Sequence, residues 1–374
     1  MAQILFKTKP DALCAHLSAL AERLGAGAKL PPVRVLGESL GVSTRTLHVA
    51  LERLEGEGIL LRRHGAGVYV SDRFPAKGAQ GEKATRHIAL VCNFQLLRSA
   101  GHSAFWDVLL EMAQGRAAQK NEVCQLHLTN PMGDATEEML GSLKAELSAG
   151  RFAGVLGLGL NRLSVNWLIA QGTPLVTFAA CSPWDVSFDS DRLIELGVGV
   201  LKEQGVSRIG LWKSRLALHF MPDREEAEFL LHGEKVFRAA LRRTGEKVRT
   251  SLVQTGADAS ESRQEQGYRI GKAVFSASRR TWPDGVVSTD DLLTRGALSA
   301  MRELGVEVGR DVRIASHANA GLPVMRDYEK QVTRLEVDPA ALVQSLFDQL
   351  ETLMDGQTPT NPKVLIAPRV VFPS

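Results

Sequence analysis

From His87 to the end of the chain, short apolar runs alternate with longer amphipathic ones, and this alternation restricts the fold more than any other feature. His87–Cys92, Val123–Leu128, Phe152–Leu158, Leu175–Phe178, Arg208–Leu211, Lys247–Val253, Gly285–Ser288 and Val312–Ala315 read as strands, each separated by a segment of helical length. Strands that alternate with helices build parallel βαβ units, because a parallel strand pair needs a crossover connection. Roughly ten such strands exceed one compact sheet, so the region is expected to hold more than one α/β layer system. A chain of 374 residues also exceeds what one hydrophobic core usually serves, which predicts several folded units.

Composition excludes several classes. With 44% apolar and 23% charged residues the chain is ordinary for a globular protein, and it has no apolar run of about 18 residues that would span a bilayer. Met1–Pro10 lacks the apolar stretch and cleavage site of a secretory signal, which predicts residence in the cytosol. Cys14, Cys92, Cys124 and Cys181 are scattered without a metal-ligand spacing, so neither a disulfide framework nor a structural zinc is expected, and no cofactor is implied. The net charge is +3, and Met1–Phe74 carries 10 Lys and Arg against 7 Asp and Glu, the whole excess. That bias is compatible with a polyanion partner.

The first seventy residues have their own pattern. Leu13, Leu17, Leu20 and Leu24 recur at helical spacing, and Gly25-Ala26-Gly27 ends that stretch. Val33, Leu36 and Leu40 form a second short apolar pattern closed by Gly41-Val42, after which Ser43 is placed to cap a further helix. In that helix Leu47, Ala50, Leu51 and Leu54 share one side, so Thr44, Arg45 and His48 lie near its exposed amino end. Ile59–Arg63 and Gly67–Ser71 flank His64-Gly65-Ala66 as a wing-like hairpin.

Leu30-Pro31-Pro32-Val33-Arg34, Gly41-Val42-Ser43, Ala50-Leu51-Glu52-Arg53-Leu54, Glu57-Gly58-Ile59-Leu60 and Arg62–Val70 together resemble the GntR family of winged-helix regulators over roughly residues 5 to 72. The resemblance implies an α/β protein with an N-terminal winged helix-turn-helix whose partner is double-stranded operator DNA. On it, Arg34 and Ser43 hold phosphates, the helix from Thr44, Arg45, Thr46 and His48 enters the major groove, and His64 with Gly65 approaches the minor groove. An exposed arginine suits base reading, since its guanidinium pairs with O6 and N7 of guanine. Pro75–Thr85 is small, polar and aperiodic, and reads as a tether, giving a division into residues 1–74, a linker 75–86 and a large domain 87–374.

The large domain carries Ala153–Leu158, Thr173-Pro174-Leu175-Val176, Val186-Ser187-Phe188-Asp189, Gly205–Gly210, Asp284–Asp291 and Arg295-Gly296-Ala297-Leu298 in order. These fragments resemble the periplasmic-binding-protein-like effector domain of the LacI/GalR family. That implies two doubly wound lobes, roughly 87–186 plus 317–334 and 187–316 plus 335–374, a ligand cleft between them, and a homodimer. Ligands of open α/β sheets bind beyond the carboxyl ends of strands, which marks the loop from Asn93 to Phe105. There Phe105 and Trp106 match the family's stacking pair, and Asp290 and Asp291 supply carboxylates for ligand hydroxyls, so a sugar-like effector is expected. Leu230 stands where many sugar-binding relatives carry arginine, Ala179 where an acid is frequent, and Arg215 or Arg224 are the candidate substitutes. A free solute-binding module, or a regulator whose sensor has lost its ligand, is the alternative; no GxSxG, HExxH, P-loop or well-placed GxGxxG favours an enzyme.

Overall fold

The computed structural model describes residues 27–40, 42–63, 67–71, 85–93, 104–129, 141–180, 182–215, 223–246, 249–258 and 260–373, with scattered positions between 13 and 25. It divides into two units, Met1–Thr85 and Arg86–Ser374.

In the first unit, α1 (Val33–Leu40) and α2 (Thr44–Gly56) precede the antiparallel hairpin of β1 (Leu60–Arg63) and β2 (Gly67–Val70). Leu47, Ala50, Leu51 and Leu54 are buried in α2, as their spacing requires, and they meet Leu13, Leu17, Leu30, Leu60, Val68 and Val70 in one core. Residues 27–30 run beside β2 as a third extended segment, with Leu30 N–H donating to Val68 O at 2.9 Å and Val70 N–H to Ala28 O at 2.8 Å. This arrangement is a winged helix-turn-helix.

The second unit holds two six-stranded sheets. The first has the order β13-β7-β6-β5-β3-β4 and is wholly parallel, built from β3 (Arg86–Asn93), β4 (Glu122–Thr129), β5 (Gly154–Leu158), β6 (Leu175–Phe178), β7 (Asp185–Phe188) and β13 (Lys363–Ile366). The second has the order β14-β12-β11-β10-β8-β9, from β8 (Ile209–Lys213), β9 (Val253–Thr255), β10 (Gly285–Ser288), β11 (Arg313–Asn319), β12 (Thr333–Val337) and β14 (Arg369–Val371), parallel except where β14 meets β12. The central strands β5, β6, β8 and β10 are buried throughout, because helices cover both faces of each sheet.

The lobe boundaries differ from the expected ones. β11 and β12 both belong to the second sheet, so residues 317–334 do not return to the first lobe. The chain crosses between lobes after Phe188, after Val337 and after Ile366. Between the last two crossings, the helix Pro339–Met354 packs its Leu342, Leu346, Phe347 and Leu350 into the core of the first lobe. Sequence periodicity marks a strand but not which sheet receives it, and β12, β13 and β14 were not among the expected strands. The strand expected at Lys247–Val253 is a 3-10 turn, Thr250–Leu252, leading into β9.

Two further helices position the cleft. The helices Arg263–Phe275 and Asp291–Glu303 cross in near-backbone contact at Gly267 and Gly296, where a Cβ would fall 1.8 Å from Leu293 O and from Gln264 O respectively. Only glycine permits that approach. It brings the amino ends of both helices together at the carboxyl edge of the second sheet.

Candidate functional site

In the winged helix, Ser43 caps α2: its Oγ accepts from the Thr46 backbone N–H at 3.2 Å and lies 2.7 Å from Thr46 Oγ1. Such a cap contributes about 1 kcal/mol and fixes the direction of the helix amino end. Thr44 and Arg45 are exposed there, while Thr46 and His48 are half-buried. Arg62 and Arg63 are exposed on the hairpin; the Arg63 guanidinium lies 4.7 Å from the Tyr69 ring centroid, and Lys29 Nζ lies 5.8 Å from the same ring. Arg62 is steered by Glu55, whose Oε1 accepts from its backbone N–H at 3.2 Å. An exposed helix amino end and a hairpin bearing cations each have the chemistry of a phosphate-backbone surface. His64, Gly65 and the side chain of Arg34, which sits in α1, lie outside the described residues.

In the second unit a cleft of about 200 Å³ opens between the lobes, lined by Phe105, Trp106, Phe178, Ala179 and Phe188 from the first and by Arg263, Thr289, Asp290, Asp291, His317 and Asn319 from the second. Pockets for drug-sized ligands run roughly 300–1,000 Å³, so this cleft suits a small molecule. The apolar wall is an aromatic cluster. Phe105 meets Trp106 edge-on at 5.2 Å between centroids, Phe178 meets Phe188 at 5.3 Å, and Phe188 reaches across to His317 at 5.9 Å. Phe105 is buried in the first lobe's core, whereas Trp106 is half-buried and is the more open of the expected pair. Ala179 adopts a left-handed φ of 53°, a conformation costing an L-residue roughly 1–2 kcal/mol, and strained residues of this kind concentrate at ligand sites.

The polar wall is organised by the two helix amino ends. Asp290 caps the helix Asp291–Glu303 by accepting from Leu293 N–H at 2.9 Å, and its other oxygen takes Arg263 Nη1 at 3.0 Å. Burial alone would raise the Asp290 carboxyl, but the Arg263 charge, the Leu293 N–H and His317 together hold it below its ordinary range. Asp291 accepts from Leu292 N–H at 2.8 Å and from Asn319 Nδ2 at 3.2 Å. Burial, opposed by His317 and reinforced by Asp290, pushes its carboxyl above the ordinary range. The pair is thus differentiated: Asp290 makes a direct ion pair with Arg263, and among the described residues Asp291 makes none.

Of the expected residues, Phe105, Trp106, Asp290 and Asp291 meet at the cleft. Asn93 does not line it; buried at the end of β3, it donates from Nδ2 to Gly159 O at 3.2 Å and ties two strand ends together. Arg215 is likewise elsewhere, its Nη1 donating to Ala257 O at 3.5 Å, and Arg224 and Leu230 have side chains outside the described residues. Among the described residues, the arginine that reaches the cleft is Arg263. Its signal was legible in part, since Ser262-Arg263-Gln264-Glu265 announces a helix amino end, and Ser262 Oγ does cap Glu265 N–H at 3.1 Å. His317 and Asn319 stand at the carboxyl end of β11, where ligand residues are expected once the sheet order is known.

Comparisons with known proteins agree with both halves. Residues 17–70 match the family model for bacterial regulatory proteins of the gntR family, and residues 198–372 match that for a periplasmic binding protein-like domain. Over 49 residues, 13% of this chain, the sequence is 47% identical to an Escherichia coli (strain K12) protein named for regulation of an L-lactate dehydrogenase operon, and equally so to its Shigella flexneri counterpart. The chain spans about a fifth of the length of these curated relatives, 19%. Among solved structures, a LacI-family regulatory protein from Chloroflexus aggregans aligns with a TM-score of 0.63 at 17% identity, covering 76% of this chain and 97% of that one. A complex of the transcriptional regulator CelR with cellobiose aligns at 0.59 and 16% identity over 91% of this chain and 98% of that one. The lac repressor dimer bound to operator and an anti-inducer aligns at 0.59 and 18% identity, over 77% and 93% respectively. At these identities the likeness is one of fold.

Proposed function

We propose that this chain, which joins a gntR-type winged helix to a periplasmic-binding-protein-like domain with the fold of LacI regulators, is a sequence-specific DNA-binding transcriptional regulator, a repressor whose grip on its operator is set by a small sugar-like effector. The observation that carries the reading is the split face of α2: one side is fully committed to the core, while Thr44 and Arg45 are exposed at its amino end. Arg62, Arg63, Lys29 and the helix amino end supply affinity through phosphates, which is independent of sequence and falls with salt. Arg45 supplies base preference. Arg34 and Ser43 are assigned to phosphates on the family pattern, and His64 and Gly65 to the minor groove.

The effector acts by differential binding. A molecule that touches the aromatic wall of one lobe and the carboxylates of the other favours one lobe arrangement, and the three crossover segments are where the chain must flex. Two copies of the chain fit a two-fold operator, and the exposed Leu126 and Leu128, on one face of the edge strand β4, offer an apolar patch for self-association. DNA as the partner places the protein in the cytoplasm, and no catalytic step belongs to this reading.

Selection of bound duplexes from a random library by the full chain tests the proposal. An enriched, two-fold symmetric motif is expected, with Arg45→Ala costing about 1–3 kcal/mol on that motif and little on unrelated DNA. Binding without any enriched motif overturns it.

A further inference from the structure

The cleft presents more hydrogen-bond acceptors than its own residues can satisfy. Asn319 is 7% exposed, and because its Nδ2 must donate to the Asp291 carboxylate, its Oδ1 is fixed as an acceptor; that oxygen is buried and without a partner. His317 Nε2 is also buried and unpartnered. Burying such groups without a partner is unfavourable, and a ligand that hydrogen-bonds to them removes that cost.

Charge points the same way. The titratable groups facing one another here are Asp290, Asp291, Arg263 and His317. Arg263 is committed to Asp290 at 3.0 Å, and among the described residues no lysine or arginine forms an ion pair with Asp291. Facing it across the cleft are Trp106, Phe178 and Phe188, rings whose negative faces attract cations.

We infer that the effector carries a protonated amine, seated against the Asp291 carboxylate and Asn319 Oδ1, with its carbon skeleton on the aromatic wall. The inference rests on the effector-controlled reading above and narrows it from a sugar-like molecule to an amine-bearing one. An ammonium offers several donors to the Asp291 carboxylate and Asn319 Oδ1 and a charge to a carboxylate that has no direct ion pair among the described residues, whereas a hydroxyl offers a single donor and no charge. A bound cation also reverses the effect of burial on Asp291, whose carboxyl is otherwise pushed upward.

The test uses matched sets of small molecules on the full chain: glucosamine against glucose and N-acetylglucosamine, and benzylamine against benzyl alcohol. Binding is read by thermal shift and by the fluorescence of Trp106, with Trp106→Phe as the blank for that signal. The amine of at least one set is expected to bind about tenfold more tightly than its neutral counterparts, and Asp291→Asn is expected to abolish that advantage. The comparison within wild type stands even if the variant does not fold. Neutral members that bind as tightly as the amines overturn the amine inference and leave an effector-responsive regulator standing. An amine advantage that survives Asp291→Asn overturns the assignment of the site, and no binding by any member overturns both the inference and the effector reading.

Discussion

Gly296→Ala is the most incisive single perturbation of the cleft, although Gly296 touches no ligand. The added Cβ would lie 1.8 Å from Gln264 O and 2.8 Å from Tyr268 N, all backbone atoms that cannot rotate away. A real Cβ does not approach closer than 3.0 Å, so the helices Arg263–Phe275 and Asp291–Glu303 must separate by about 1.2 Å. Arg263 stands one turn from this crossing, and its Nη1 is 3.0 Å from Asp290 Oδ2, so the same displacement stretches the ion pair beyond bonding distance. Overpacking of this kind costs about 1–3 kcal/mol, and weakening a buried pair adds to it. A loss of about 3 kcal/mol in a unit of this size corresponds to a fall in Tm of roughly 5 °C or more. Scanning calorimetry of the full chain measures the fall, and thermal shift with a cleft ligand measures the loss of binding. Gly199→Ala is the control: it is also a helical glycine, but its Cβ would meet nothing within 4 Å, so it is expected to gain about 0.5–1 kcal/mol. A Tm for Gly296→Ala within 1 °C of wild type, by about the precision needed here, together with normal ligand binding, would refute the claim that this crossing positions Arg263.

Trp106→Ala is expected to cost clearly less than the roughly 3–5 kcal/mol of a fully buried tryptophan, because Trp106 is half-buried at the cleft, whereas Trp212→Ala is expected to reach that range, since Trp212 is 1% exposed; urea unfolding of both variants checks the contrast. Asp291→Asn removes a carboxyl whose folded pKa is raised by burial, so wild type loses stability relative to the variant as pH rises from about 4 through that raised value; melting curves from pH 4 to 8 that run parallel for the two proteins would contradict this. Asp290 has the opposite sign: held below the ordinary range, it contributes stability above about pH 4 that is lost as pH falls through its folded value, and Arg263→Ala is expected to abolish this acid-side loss while destabilising the protein at neutral pH.

Sequence alone determined the elements whose signal is local. The winged helix was legible because its core positions recur at helical spacing, its cap is a serine and its hairpin is bounded by glycine, all within seventy residues. The parallel strands of the large unit were legible because burial on both faces leaves continuous apolar runs such as Gly154–Leu158 and Gly285–Ser288. Phe105, Trp106, Asp290 and Asp291 were found through the resemblance to the LacI/GalR effector domain, in regions that follow strands, where α/β ligands bind. What only the tertiary structure decided was which lobe receives each late strand, and which distant side chains meet. β12 and β13 carry no local mark of the sheet they join, so residues 317–334 were placed in the wrong lobe. Arg263, His317 and Asn319 come from a helix amino end and a strand end far apart in sequence. They meet Asp290 and Asp291 because Gly267 and Gly296 let two helices touch and because β11 pairs with β10. Asn93, by contrast, satisfied the sequence rule and was claimed by a backbone carbonyl of its own lobe, since a buried amide must find a partner and Gly159 O was nearer than any ligand.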